Sequence, residues 1–183
     1  LGEKAVDGLL NEMTSRDINV RIGSKPVRIE ADKVVTEREE IHTDLVMFMP
    51  GLTGPLWLDN TELPRSPGGF VQADRKCRVV GDAWTGTYVV GDTGSFPGPD
   101  WLAKQAHQAD LQAEAAVANI RDEIAGRAPS RDFKAELICI VDSVDKGILV
   151  FRDEKRSFTL PKMRLAHWAK WYFERHYLRA YRR

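Results

Sequence analysis

The chain holds 183 residues, and its 27 Lys and Arg balance its 27 Asp and Glu, so the formal net charge is zero. A chain of this length fits one domain or one and a half, with enough residues for a buried core. The neutral balance argues against a protein that only binds nucleic acid, and no apolar run reaches the ~18 residues of a membrane-spanning helix. Two cysteines, Cys77 and Cys139, are too few for a disulfide-rich scaffold and lack metal-ligand spacing, so no metal site is predicted.

Helix and strand patterns follow one another along the first part of the chain. Apolar side chains at positions 6, 9, 10 and 13 predict an amphipathic helix over residues 1–16. Residues 18–22 alternate between apolar and polar types, which predicts a strand with one buried face. The β-rich segments 27–30 and 33–36 predict a hairpin around the two residues between them.

Two further segments have the composition of strands. Thr43–Met49 is almost continuously apolar, which is typical of a strand buried on both faces, and Pro50 ends it. The segment GGFVQAD, residues 68–74, predicts a second strand after a loop. The simplest interpretation of the first segment is a core strand followed by a turn.

Three features that suit a ligand site occur together in residues 87–120. Tyr88–Val90 predicts a short strand, Gly91 and Asp92 a turn after it, and Trp101–Arg121 a long Ala-rich helix. A glycine at a strand end lets the backbone approach a ligand, and an Asp beside it can accept hydrogen bonds from sugar hydroxyls. A helix N-terminus at the same place stabilises negative charge. We therefore expect the turn and the start of the helix to share one crevice.

Residues 133–141 and 147–152 are β-rich and predict a second hairpin, whose first strand contains Cys139. A cysteine between two isoleucines is most often a small buried hydrophobic residue. Cys77 lies between two basic residues, and we assign it a structural or surface role. His107, on the Ala-rich helix, is interpreted as solvated or packed rather than catalytic.

The last predicted helix, residues 161–183 with Pro161 at its start, contains six aromatic side chains and seven Lys or Arg. One broad face is predominantly apolar and aromatic, and it consists of Leu165, Trp168, Ala169, Tyr172, Phe173, His176 and Ala180. Such a helix is typical of a peripheral membrane interface, where Trp and Tyr lie at headgroup depth and Lys and Arg reach anionic lipid. Docking on its own domain or on a second subunit is the first alternative. Nucleic acid, the second alternative, is not the expected partner.

Four motifs occur in the order seen in a known family. They are TDLVMFMP at 43–50, GGFVQAD at 68–74, YVVGD at 88–92 and KQAHQA at 104–109. In this order they resemble the two-dinucleotide-domain flavoproteins of the pyridine nucleotide-disulfide oxidoreductase superfamily, and within it the sulfide:quinone oxidoreductase branch. The resemblance covers most of this chain but only about the last half of the usual family length.

The resemblance implies an FAD site and a redox cysteine. The cofactor-binding positions that it carries over are Pro50, Gly91, Asp92, Lys104, Gln105 and Ala106. In the family, the Gly-Asp turn contacts the ribityl-diphosphate part of FAD, and the Lys-Gln helix start faces the flavin ring. A cysteine in the C-terminal hairpin helps to form a polysulfur bridge beside the flavin, which gives Cys139 a catalytic role. Lys104 would place a cation near the ring positions where reduced flavin accumulates charge.

The resemblance also implies a fold class: α/β, as the C-terminal part of a Rossmann-like flavoprotein with two dinucleotide-binding domains, a C-terminal β-hairpin and an amphipathic helix. Residues 1–50 would end the second dinucleotide-binding domain and 51–130 would complete the FAD-binding domain. Residues 131–183 would form the hairpin and the helix on the membrane and quinone side. No G-x-G-x-x-G motif occurs, so we expect the diphosphate-binding loop before Leu1 and expect the isolated chain to be inactive.

The parent enzyme implied by the resemblance oxidises sulfide or a similar donor and reduces quinone as a peripheral protein of a prokaryotic-type inner membrane. A homo-oligomer is compatible with this interpretation. Two departures from the family are that Ala103 replaces a common proline and that Cys139 has no partner cysteine here. The alternatives are a type II NADH:quinone oxidoreductase, in which Cys139 would be incidental, and a non-catalytic membrane-binding or oligomerisation module.

Overall fold

The computed structural model describes residues 3–143, 146–161 and 163–180. The chain divides into two units, Gly2–Leu52 and Thr53–Arg183. Each unit contains both helix and strand, so the mixed α/β class expected from the sequence is confirmed.

The unit Gly2–Leu52 consists of one helix and one antiparallel sheet. Helix α1 spans Glu3–Thr14, and strands β1 (Pro26–Ile29), β2 (Lys33–Thr36) and β3 (Glu40–His42) pair in that order. The predicted amphipathic helix and first hairpin are therefore confirmed. Strand β3 is an addition that the sequence did not indicate.

Two predicted strands of this unit are not formed. Residues 18–22 and 43–49 both lie outside the sheet. Leu45, Met47 and Met49 are 77%, 84% and 89% exposed, so the expected burial on both faces is wrong. An apolar run becomes a central strand only when strands pair with it on both sides, and the described part of this unit contains one sheet, which ends at β3.

The unit Thr53–Arg183 begins with a segment of little regular structure. Residues 53–105, all of them described, contain three short 3-10 helices and a two-stranded parallel sheet. In this sheet β4 (Val71–Gln72) pairs with β5 (Gly94–Ser95). The predicted strand over residues 68–74 is thus reduced to β4.

The segment Tyr88–Val90 is extended but is not a regular strand. Tyr88 forms an isolated β-bridge with Arg78, and the Val89 N–H donates to the carbonyl oxygen of Cys77 at 3.0 Å. These few bonds suffice because Val89 also packs against a small buried apolar cluster. The prediction was therefore right that this segment is extended, and wrong that it forms a strand of a sheet.

Helix α2 spans Ala106–Ile124 and is the central element of this unit. The predicted range, 101–121, began too early because the residues before α2 have other contacts. Leu102 packs against the buried cluster beneath the helix, and the Lys104 ammonium reaches back to the turn at residues 92–94. Gln105 has extended backbone angles, φ −153° and ψ 159°, and is the N-cap.

Three buried amide side chains fasten α2 to the chain around it. Gln108, Gln112 and Asn119 are 2%, 3% and 0% exposed. Gln108 donates to the carbonyl oxygen of Lys134 and accepts from the N–H of Glu136, both at 3.0 Å. Asn119 makes four hydrogen bonds to main-chain groups of two neighbouring loops. The buried amides thus satisfy nearby backbone groups that have no strand partner.

A three-stranded antiparallel sheet follows α2. Strands β6 (Glu136–Ser143) and β7 (Lys146–Asp153) form the predicted hairpin, with Cys139 inside β6. Strand β8 (Ser157–Thr159) pairs with the far side of β7. The turn residues 144 and 145 lie outside the described residues.

Helix α3 spans Arg164–Ala180 and packs on β6 and β7. Its buried Ala166 fits over Gly147, where an added Cβ would lie 3.3 Å from the Ala166 Cβ. The predicted C-terminal helix is confirmed over this range. Residues 162 and 181–183, which belong to the same prediction, lie outside the described part of the chain.

Candidate functional site

A crevice of about 200 Å³ opens at the N-terminal end of α2. Its walls come from the turn that ends in β5 and from the segment that leads into α2. The lining residues are Gly91, Asp92, Gly94, Ser95, Phe96, Pro99, Leu102, Ala103, Lys104, Gln105, Gln108, Ala109 and Gln112. The predicted crevice between the Gly-Asp turn and the start of the helix is therefore present.

Gly91 is the residue through which the turn meets the helix. Its φ of 69° lies in the left-handed region, which favours glycine. Its N–H donates to the Gln112 Oε1 at 2.7 Å, so a helix side chain caps the turn directly. A Cβ added at Gly91 would lie 3.5 Å from the Ala109 Cβ, in contact with α2. The alanine-rich surface of the helix is what allows this close approach.

The Lys104 ammonium lies inside the same turn. Its Nζ donates to the carbonyl oxygen of Asp92 at 2.7 Å and to that of Gly94 at 2.6 Å. Burial lowers the pKa of Lys104 from its ordinary value, and the Asp92 carboxylate opposes this effect. The lysine thus holds the turn closed and places a cation at the wall of the crevice.

Helix α2 begins without a capping side chain. The Gln105 side chain makes no capping bond, and the first turn contains no acidic residue. The Gln105 Nε2 atom is buried and has no hydrogen-bond partner among the described residues. Uncapped helix N–H groups carry partial positive charge, and a buried donor without a partner is energetically unfavourable. Both observations favour a ligand that brings hydrogen-bond acceptors.

These features fit the ring of a flavin. The crevice combines a lysine cation, an unpaired amide donor and a helix N-terminus with the apolar side chains of Phe96 and Leu102. An aromatic ring with carbonyl acceptors would satisfy the donors and pack against the apolar walls. The volume is below the ~300 Å³ typical of a complete small-molecule pocket. The crevice therefore suits one end of a larger cofactor.

The structure brings together four of the predicted cofactor-binding residues, since Gly91, Asp92, Lys104 and Gln105 all line the crevice. Ala106, exposed, follows them as the first residue of α2. Pro50 is exposed in the unit Gly2–Leu52, and its contact with a cofactor stays a prediction.

Cys139 does not line the crevice among the described residues. It is half-buried in β6, opposite Val150, and alternation puts it on the same sheet face as Leu137. On that face, the Arg152 guanidinium lies 4.9 Å from the ring centroid of Trp101, in the segment that leads into α2. The sulfur thus lies on the sheet face directed toward that segment. Its catalytic role stays a prediction.

The other two candidate side chains have structural partners. Cys77 is fully buried against Ala115, and burial raises the pKa of its thiol to about 12. A thiol with so high a pKa is a poor nucleophile, which agrees with the structural role assigned to it. The His107 Nε2 lies 2.7 Å from the Glu136 Oε1, so the imidazole joins the start of α2 to β6.

Sequence reasoning missed two residues that shape the crevice. Gln112 accepts the Gly91 N–H, and the Phe70 ring lies beneath the Lys104 ammonium, 4.0 Å from Nζ to the ring centroid. The signal for Gln112 was present, because Gln108 and Gln112 are four residues apart on an Ala-rich helix and so share one face. Nothing in the local sequence paired Phe70 with Lys104.

A second candidate surface is the exposed face of α3. Its large apolar side chains are more than half exposed: Leu165 73%, Trp168 68%, Trp171 60%, Tyr172 68%, Phe173 59% and Leu178 53%. The opposite side of the helix faces inward, where Ala166 is buried and the Tyr177 hydroxyl donates to the Asp110 Oδ2 at 3.0 Å. Helix α3 therefore contacts its own unit through only a narrow strip of its surface, which includes Ala166 and Tyr177. The described side chains of the predicted aromatic face are exposed to solvent.

The described helices are all too short or too polar to cross a bilayer.

Comparison with protein-family models and with curated protein sequences gives no match. The fold, however, is similar to that of the sulfide:quinone oxidoreductase from the hyperthermophilic bacterium Aquifex aeolicus, with a TM-score of 0.78 and 23% sequence identity. The similarity covers 93% of this chain and 43% of that chain. The resemblance indicated by the four sequence motifs is thus confirmed as a similarity of fold. At this identity the likeness establishes the fold alone, over less than half of the solved structure.

Proposed function

We propose that this chain is the C-terminal portion of an FAD-dependent oxidoreductase that takes electrons from sulfide or a similar donor and reduces quinone at a membrane surface. The observation that carries the proposal is the crevice at the start of α2. There, Lys104 and the unpaired Gln105 donor face the Gly91 turn, in a fold similar to that of the Aquifex enzyme.

Bound FAD would supply the ring that accepts and passes on electrons. The chain's own residues would bind and orient it. The Lys104 cation and the N-terminus of α2 would stabilise negative charge on the ring, and Gln105 would supply a hydrogen-bond donor to it. Gly91 and Asp92 would contact the part of the cofactor that leads away from the ring. The diphosphate would be held by residues outside this chain.

The proposed donor side of the reaction uses Cys139. A Cys139 thiolate beside the cofactor would be joined to the donor sulfide by a sulfur–sulfur bond, and the two electrons that the two sulfur atoms lose in forming it would pass to bound FAD as the oxidant. In support, Cys139 is half-buried on the sheet face directed toward the segment that leads into α2. Cys139→Ser in the parent enzyme should abolish sulfide oxidation and leave FAD bound. Unchanged sulfide oxidation would remove Cys139 from the mechanism.

The proposed acceptor side lies at the membrane. Six exposed apolar side chains on α3, together with Arg164, Arg175 and Arg179, suit an interface where rings enter the lipid and guanidinium groups meet anionic headgroups. Quinone, which is dissolved in the bilayer, would then be reached from this surface. The proposed location is the surface of a prokaryotic-type inner membrane.

The proposal requires a longer parent polypeptide, and the coding sequence upstream of Leu1 tests this first. Two glycine-rich diphosphate motifs and a further cysteine are expected there. The purified parent should contain about one FAD per chain, as expected for a single stoichiometric site. An upstream sequence without such motifs, or a parent without flavin, would contradict the proposal.

A matched pair of glycine variants tests the crevice itself. Gly91 and Gly86 have similar left-handed φ values, 69° and 77°, so alanine strains the backbone alike at both. Only Gly91 lines the crevice, and the position of an added Cβ at Gly86 is open. In the parent, Gly91→Ala should weaken FAD retention about tenfold, which is about 1.4 kcal/mol, and Gly86→Ala should not. Equal retention would remove the turn from the cofactor site.

One observation favours a second candidate. Cys139 is not among the described residues that line the crevice. This is expected for a type II NADH:quinone oxidoreductase, in which the cysteine would have no role in the reaction. NADH-dependent rather than sulfide-dependent quinone reduction by the parent would select this alternative. A parent with neither activity and no FAD would leave the non-catalytic membrane-binding or oligomerisation module.

A further inference from the structure

The motif Gly68–Asp74 has no part in the crevice wall, yet one of its side chains meets the crevice lysine. The Phe70 ring lies face-on to the Lys104 ammonium, with Nζ 4.0 Å from the ring centroid. The carbonyl oxygens of Asp92 and Gly94 accept from the same ammonium at 2.7 Å and 2.6 Å. Three groups from two separate segments therefore surround one cation.

The residues before Phe70 fix where its ring lies. An added Cβ at Gly68 would lie 3.1 Å and 3.2 Å from two carbons of the ring, so only glycine leaves the ring its full space. Gly69 has a φ of 82°, which turns the chain just before the ring. The Ser66 N–H donates to the Phe70 carbonyl oxygen at 2.8 Å, and the Phe70 N–H to the Ser66 Oγ at 3.3 Å. In the Gly-Gly-Phe sequence, the first glycine thus leaves space for the ring and the second allows the turn that precedes it.

The arrangement matches what an ammonium group needs. A lysine has three N–H donors and a flexible stem, so two carbonyl bonds alone leave it room to swing toward solvent. The negative face of an aromatic ring attracts the cation and so adds a third contact to the two carbonyl bonds. Burial works against the charged form of Lys104 and lowers its pKa, and the Asp92 carboxylate opposes this effect.

We propose that Phe70 is a positioning residue, whose ring holds the Lys104 ammonium at a fixed point of the crevice wall and thereby presents one ordered positive charge to the ligand. That the ligand is an electron-rich flavin ring rests on the proposed function. The position of the ammonium itself does not, because it depends only on groups of this chain.

The test uses the 183-residue chain without cofactor and follows its lysine ammonium groups by NMR with isotope-labelled lysine. Lys104→Arg assigns the signal. In the unaltered chain the Lys104 Cε protons should show an upfield ring-current shift. Phe70→Leu keeps the apolar bulk and removes the ring, and proton exchange of the ammonium with water should become about two- to fivefold faster. Phe70→Tyr keeps a ring and should restore the slow exchange.

Two further variants keep the test decisive. Phe158→Leu alters a phenylalanine that stacks on Phe151 instead, at 5.0 Å between centroids, and should leave the Lys104 signal unchanged. Gly68→Ala displaces the Phe70 ring without removing it, so it should also speed the proton exchange of Lys104. It takes the place of Phe70→Leu in the test if Phe70→Leu does not fold. Unchanged exchange in every folded ring variant, or no ring-current shift in the unaltered chain, would overturn the proposal. A parent without FAD would instead contradict the proposed function and leave this result intact.

Discussion

Helices α2 and α3 belong to one unit, but they distribute polar and apolar side chains in opposite ways. Helix α2 buries the amides Gln108, Gln112 and Asn119, whereas α3 leaves Trp168 and Tyr172 more than two-thirds exposed. The difference follows from what each helix faces. The loops around α2 have main-chain groups without strand partners, which amides satisfy, whereas α3 lies on a sheet whose backbone is already paired. Which side chains a helix buries therefore depends on the hydrogen bonds that the adjacent segment still lacks. The exposed aromatic face of α3 is the surface that remains for a partner.

The largest expected effect is the loss of folding stability when a buried amide of α2 is removed. Asn119→Ala removes four part-buried hydrogen bonds to main-chain groups and should lower the free energy of unfolding by about 3 kcal/mol, since each unsatisfied group costs on the order of 1 kcal/mol. Urea unfolding followed by circular dichroism measures it. Glu114→Ala, at an exposed position of the same helix, is the control and should change stability by less than about 0.5 kcal/mol. Similar values for both would mean that the amides do not fasten α2.

The next largest effect is on membrane binding through the exposed aromatic face of α3. Replacing Trp168 and Tyr172 together by Ser should weaken binding to anionic vesicles about ten- to a hundredfold, because both rings would lose their burial in the interface. Folding stability should change little. The matched control replaces Val117 and Ile124, which are 47% and 82% exposed on α2, and should leave vesicle binding unchanged. Salt-insensitive sedimentation, equal for all three chains, would rule out membrane binding through α3.

A smaller, pH-dependent effect tests how well the core beneath α2 is sealed. The pKa of Cys77 is raised by burial from 9.0 to about 12. Between these values the unfolded chain has lost the thiol proton and the folded chain keeps it, so stability falls as pH rises above 9.0. The loss should reach about 1.4 kcal/mol near pH ~10. Urea unfolding of Cys77→Ala at the same pH values should lack this component; parallel curves for both chains would show that the thiol is accessible to water.

The smallest effect concerns the polar contact between the two helices. Tyr177→Phe removes the hydrogen bond to Asp110 and should destabilise the unit by about 0.5–1 kcal/mol. Tyr172→Phe, on the exposed face of α3, serves as the control and should have no measurable effect. Limited proteolysis of the C-terminal segment provides a second measurement, since a loosened α3 should be cleaved faster. Equal cleavage of the two variants would show that apolar packing alone holds α3.

Local patterns predicted the elements whose partners are near in sequence. The hairpins β1–β2 and β6–β7 and the helices α1 and α3 lie where alternation and helical spacing indicated. The crevice was also predictable, because the turn at Gly91 and the helix that meets it are close along the chain. The strand predicted over 43–49 was wrong because a long apolar run does not specify its pairing partners.

By itself, the sequence determined the helices and the two hairpins, the Gly-Asp turn, the Lys-Gln helix start and the aromatic composition of the tail. Only the tertiary structure decided that Phe70 lies under Lys104 and that Gln112 caps Gly91. It also decided which face of α3 stays exposed. The physical reason is that propensity and periodicity act over a few neighbouring residues, whereas ring, ammonium and amide contacts join segments brought together only by folding.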